Sequence, residues 1–186
     1  PAHPCQETEV HAPHAKSSLA NSGHSVVINP DKLRKPSRAK TQVPLSQAIL
    51  YEMSVRDFSW QKEAGFKHPG QYRGLSESPR LQDMSLGLDY VKNLGVTHIQ
   101  LMPLYDFGSV DEWNPSAVYN WGYDPVQYNV PDGSFSSNPN DPYARILELQ
   151  DAIQAYHDAD ISVVMDVVYN HVYHAETNKK KKIVPG

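Results

Sequence analysis

Three polar residues close an apolar run near the end of the chain. The stretch Asp166-Val167-Val168-Tyr169-Asn170-His171-Val172 follows Ile161, and Asp166 is the only charged residue from Ile161 to Val168. A carboxylate where a strand ends, followed by an amide and an imidazole as the chain turns outward, offers all three to one crevice. Asp166 cannot be buried alone at small cost, so it must be paired or hydrogen-bonded. It either ties down a loop or serves a site. A second stretch, Tyr119-Asn120-Trp121-Gly122-Tyr123-Asp124-Pro125, interleaves aromatic rings with an amide and a carboxylate. Rings of this kind stack on the flat C–H faces of a sugar, and Asn120 and Asp124 can pair with its hydroxyls. The same loop could instead fold onto its own core.

The elements that must position these residues alternate. Ala48 to Glu52 reads as a short apolar strand. Leu86 to Leu94 reads as a helix, with Leu88, Val91 and Leu94 at helical spacing and Gly95 as its stop. Val96 to Met102 is a second strand, ended by Pro103. Asp141 caps a helix whose first residue is Pro142, with Ile146, Leu149, Ile153 and Tyr156 on one face. Ile161 to Val168 is a third strand, apolar enough to be buried on both faces of a parallel sheet. The β-α-β-α-β order predicts three parallel strands, adjacent in that order. The turns from helix into strand are brief, whereas the segments leaving the strands, near 53–83 and 103–140, are long. Loops beyond ~12–15 residues are usually functional. Here they leave the C-terminal ends of the strands, where barrels and open α/β sheets keep their sites. Residues 1–47 read as the end of a preceding β-rich domain plus a linker. Only Ser25 to Ile28 looks like a strand there, and Pro30, Pro36 and Pro44 punctuate the rest of that segment.

The two polar stretches carry a resemblance. Asp166 to His171 resembles the D-x-x-x-N-H core of the first conserved region of the α-amylase superfamily. Gly95 to Pro103 resembles that family's second barrel strand, and Tyr51 to Phe58 its first strand and exit. Tyr119 to Pro125 looks like the motif that marks type I pullulanases within the superfamily. The resemblance covers residues 48–186 and implies an α/β fold: a partial (β/α)₈ TIM barrel holding about the first three strands. It implies hydrolysis of α-1,6-glucosidic branch linkages in pullulan, amylopectin and limit dextrins by a retaining glycosidase. Another debranching or branching enzyme, and a non-catalytic α-glucan-binding fragment, are the alternatives. By resemblance, Tyr123 stacks on the sugar at the cleavage point and His171 hydrogen-bonds that sugar. Asp166 supports the floor of the site, and Asn120, Trp121 and Asp124 join it in binding substrate. Asn170 holds the following loop or a calcium ion, and no cofactor is required. A retaining glycosidase needs two carboxylates ~5–5.5 Å apart. The resemblance implies that both lie beyond Gly186, so the chain alone is expected to be inactive.

Charge excludes some partners. The net charge is −4, but the first 47 residues are basic, residues 48–178 strongly acidic, and Lys179 to Lys182 a basic run read as solvated. An acidic centre argues against nucleic acid, which wants a basic face. No apolar run approaches the ~18 residues of a membrane span, and no glycine-rich phosphate loop is present. The single cysteine, Cys5, cannot form an internal disulfide and leaves the compartment open. His3, His11, His14 and His24 lack metal-ligand spacing. Arg56 and Asp57 either line the site or form an ion pair, and the structural reading is preferred.

Overall fold

Ile99 and Leu101 are 0% and 1% exposed and sit in a central strand, so the fold is organised around them. Burying two such side chains contributes about 1.5–3 kcal/mol each. The computed structural model describes residues 26–39 and 42–173, and the backbone of 181–182. Strand β1 (Leu50–Met53) is followed by helix α1 (Val55–Ser59) and a small hairpin, β2 (Arg80–Leu81) with β3 (Met84–Ser85). Helix α2 (Gly87–Asn93), strand β4 (His98–Leu101), helix α3 (Pro142–Asp158) and strand β5 (Ser162–Met165) complete the alternation. The order in the sheet is β1-β4-β5, and both pairings are parallel. That is the order the sequence predicts. Each strand is shorter than its apolar run, because the ladder exists only where all three strands overlap: Leu50 pairs with His98, and His98 with Ser162.

The two faces of the sheet differ. Residues at odd positions, Met53, Ile99 and Leu101, enter a core with Val91, Leu149, Ala152 and Tyr156 from the helices and with Tyr72 and Leu75 from a 3-10 turn. The opposite face presents Leu50, 53% exposed, and the Glu52–Gln100 hydrogen bond of 2.8 Å. Strand β5 was expected to be buried on both faces; all four of its residues are half-buried, because it lies at the sheet's edge.

Helix α3 starts as predicted. The Asp141 side chain accepts from the Tyr143 amide at 2.9 Å, and Pro142 takes the first turn, where its missing N–H costs nothing. Its buried stripe differs from the apolar one. Arg145, Leu149, Ala152 and Tyr156 are buried together with Glu148, whereas Ile146 and Ile153 are only half-buried. Along this helix runs a strap, residues 29–37, which opens with a 3-10 turn at Pro30–Lys32. Its main-chain amides at Asn29, Arg34 and Ser37 donate to Tyr143 Oη (2.9 Å), Gln150 Oε1 (3.0 Å) and Gln154 Oε1 (2.7 Å). Val26 to Ile28, expected as part of a strand, form none; Val27 is 93% exposed, and among the described residues no strand lies beside it to complete a ladder.

A short antiparallel pair, β6 (His171–Val172) with β7 (Lys181–Lys182), follows the sheet. It puts the backbone of two lysines of the basic run into a ladder. Cys5, His3, His11, His14 and His24 lie outside the described residues. Among the described residues no helix is long and apolar enough to cross a membrane.

Candidate functional site

The segment that leaves β4 reaches its aromatic stretch by a turn only glycine makes cheaply. Gly122 has φ +86°, and a Cβ there would stand 2.3 Å from the Pro103 carbonyl oxygen. This close approach seats Tyr123 above the C-terminal ends of the strands. There it meets the residues that follow β5. Its hydroxyl donates to Asp166 Oδ2 at 2.7 Å. Its carbonyl accepts from His171 Nε2, 2.7 Å away across 48 positions of sequence. Asp166 is therefore hydrogen-bonded, as its place on an apolar strand required, and its own amide donates to Leu101 at 2.9 Å. The hydrogen bond to Asp166, then burial, pushes the Tyr123 hydroxyl up to about 12. It stays a donor throughout the physiological range.

Asn120 and Asp124 pair mainly within the loop. Asn120 Nδ2 donates to Asp124 Oδ1 at 2.7 Å and to Ser109 Oγ at 2.6 Å, and its Oδ1 accepts from the Gly122 amide at 2.9 Å. Ser109 Oγ donates to the other Asp124 oxygen. Asp124 is buried, so these bonds satisfy a carboxylate that would otherwise be costly. Trp121, in contrast, is 60% exposed. Asn170 is exposed; its Oδ1 lies 3.2 Å from His171 Nδ1.

A cavity of about 1010 Å³ opens over this loop, lined by Glu52, Tyr119, Asn120, Trp121, Tyr123 and Asp124 among others. Tyr123 lines it, while Asp166 and His171 grip Tyr123. The structure thus brings together six of the predicted residues at one cavity wall: Asn120, Trp121, Tyr123 and Asp124 line it, and Asp166 and His171 join through hydrogen bonds to Tyr123. Asn170 is one hydrogen bond further out.

Arg56 and Asp57 do not form the ion pair expected of them. Asp57 Oδ2 accepts from the Tyr119 hydroxyl at 2.5 Å. The Arg56 guanidinium stacks over Trp60 at 4.3 Å and over Tyr119 at 5.1 Å. Consecutive residues on a short helix point apart, which leaves each to find an aromatic neighbour instead.

Sequence reasoning missed a second polar group. Asp106, Glu112 and Asp132 are all buried, with ligand-capable oxygens within 4.8 Å of one another. Arg145, 1% exposed, supplies the counter-charge: Nη2 lies 2.9 Å from Glu112 Oε2, and Nη1 donates to the Pro131 carbonyl at 3.0 Å. Asp132 accepts from the Phe107 amide at 3.1 Å and the Ser134 amide at 2.7 Å. Burial first, then the nearby Glu112 charge, pushes Asp132 up to about 7. These residues are scattered over 40 positions of loop and helix, so no short motif announces them. The only signal was an Arg at a helix position in register with Leu149 and Tyr156.

The profile of the alpha amylase catalytic domain matches residues 70–183. The chain belongs to that family. The pullulanase of Bacillus subtilis strain 168 is 41% identical over 175 residues, which cover 93% of this chain and 24% of the relative. A crystal structure of a pullulanase from Anoxybacillus sp. LM18-11, complexed with maltotetraose, superposes with a TM-score of 0.76 at 44% identity. That match covers 82% of this chain and 23% of the other. The type I pullulanase of Bacillus subtilis complexed with maltose gives 0.77 at 40% identity, over 85% of this chain and 22% of that one. The chain spans about a quarter of the length of these relatives.

Proposed function

We propose that this chain forms one wall of the glucan-binding crevice of a debranching glycoside hydrolase, acting on α-1,6 linkages in pullulan, amylopectin and limit dextrins. One observation carries the reading: Tyr123 faces the cavity while its hydroxyl and carbonyl are both held from the next strand's exit, by Asp166 and His171. A ring held so firmly is ready to stack on a sugar before the sugar arrives. It would favour the flattened, cation-like ring of the transition state, whose charge an aromatic face attracts. His171 acts first through Tyr123, and reaches a sugar only if that contact yields. The pullulanase relatives, and the maltotetraose and maltose in their crystals, support the same class of ligand. In this reading the parallel sheet is the first part of a (β/α)₈ barrel, entered near residue 48 from an upstream β-rich domain. The nucleophile and the acid/base come from outside this chain. Calcium, if the enzyme uses it, has Asn170 as one candidate ligand.

The test is a pair of measurements on the 186-residue chain. Calorimetric titration with maltotetraose should give saturable binding, and a reducing-sugar assay on pullulan should give no turnover. No binding would remove the glucan reading. Turnover that co-purifies with the chain would place the catalytic carboxylates inside it.

A further inference from the structure

The exposed Trp121 sits on a loop whose position has to come from somewhere. On either side of it, Asn120 and Tyr123 are fixed by bonds to Ser109, Asp124, Asp166 and His171. One residue further upstream Tyr119 is anchored too, and its partners lie on the exit of a different strand, β1. Tyr119 is 51% exposed and Trp60 42%, so neither is held by burial in the core. What holds Tyr119 is its hydrogen bond to Asp57 and the guanidinium of Arg56, shared between the Tyr119 and Trp60 rings. Trp60 is itself seated against Gly70, where a Cβ would stand 2.7 Å from the indole. The result is a stack running from the exit of β1 to the aromatic loop after β4.

We propose that Arg56 and Asp57 are positioning residues: they latch Tyr119, and through it set where Trp121 stands at the mouth of the cavity. The proposal rests on the reading of that cavity as a glucan site. Neither residue needs to touch the sugar. Asp57 fixes the Tyr119 hydroxyl and Arg56 lies over its ring, and the side chain of Trp121 hydrogen-bonds that same hydroxyl. Cation–π contact of this kind favours arginine over lysine, because a planar, delocalised guanidinium can face two rings at once. Without the latch, Trp121 would have to be ordered at the moment of binding, and affinity would fall by that entropy.

The experiment is a titration of the 186-residue chain with maltotetraose, read by calorimetry and tryptophan fluorescence, in five forms: wild type, D57A, Y119F, the double variant D57A/Y119F and R56K. D57A, which removes the acceptor that asparagine would keep, should weaken binding roughly three- to tenfold, about the weight of one hydrogen bond, and Y119F at least as much. The double variant should be no weaker than Y119F alone, because Y119F already removes the bond that D57A removes. R56K should weaken binding although it keeps the charge. Thermal melts should move by only a few degrees. Wild-type affinity in D57A and Y119F, or losses that add in the double variant, would overturn the latch. So would affinity that falls only in step with the melting temperature, which marks a general structural role. A wild-type chain that binds no maltotetraose would instead overturn the reading of the cavity, a separate result.

Discussion

Tyr123 is bonded at both ends, and the two bonds have different weights. Replacing it with phenylalanine removes only the hydroxyl bond to Asp166; the expected cost is about 0.5–1.5 kcal/mol of stability, with maltotetraose binding largely kept because the ring remains. Tyr123→Ala removes the ring, and binding should fall well below that of the phenylalanine variant. Calorimetry beside thermal melts separates the two. The meeting of Tyr123 with the His171 and Asp166 segment was legible in the sequence, because each lies just past the end of a neighbouring parallel strand. The buried acids were not: Asp106, Glu112, Asp132 and Arg145 come together through loop paths that no period encodes. Asp132 makes a prediction of its own. Its folded carboxyl is raised above the unfolded value, from 3.8 to about 7, so the folded chain holds a proton that the unfolded one releases between those values. Stability contributed there is full below pH 3.8 and is lost as pH rises to about 7, at a slope of at most ~1.4 kcal/mol per pH unit for one proton. Urea melts from pH 5 to 8 should show this decline, and Asp132→Asn should flatten it even if that variant is less stable overall.

Helix α3 shows where pattern reading succeeds and where it stops. Its start, from the Asp141 cap to Pro142, is local chemistry and could be read directly. Its buried stripe could not, because the positions facing the loops after β4 are filled by Arg145 and Glu148, whose burial is made tolerable by distant partners. Glu148 is met by Arg73 at 3.1 Å and by the Ser137 amide at 3.0 Å. Removing one member of such a pair leaves the other charged and buried. Glu112→Ala should therefore destabilise the chain by about 3–5 kcal/mol, since Arg145 loses its carboxylate partner. Arg34→Ala breaks an ion pair of similar form with Asp151, but its side chains are 65% and 45% exposed, and the cost should stay within ~1 kcal/mol. Chemical melts of the two variants side by side check the contrast; equal losses would mean that the Arg145 site is wetter than the structure indicates.

At the scale of the whole molecule, the sheet is covered on one face and open on the other. Leu50, Glu52 and Gln100 line the open face, and β1 and β5 are both edge strands with unused backbone groups. Such edges recruit further strands. The isolated chain should self-associate as its concentration rises, measurable by light scattering, and a partner polypeptide that pairs with both edges should suppress that association. The strap over α3 has a different consequence, one of mutational tolerance. Its bonds to Tyr143, Gln150 and Gln154 come from main-chain amides, which every residue except proline possesses. The strap can therefore change most of its side chains and keep its path, while the helix, which supplies the accepting oxygens, cannot; the exceptions are Ser37, whose Oγ accepts from Gln154 Nε2, and Asn29, whose Oδ1 accepts from the Asp31 amide. A saturation library should find position 34 open to nearly everything but proline, positions 29 and 37 biased toward side chains that keep those bonds, and positions 150 and 154 narrow.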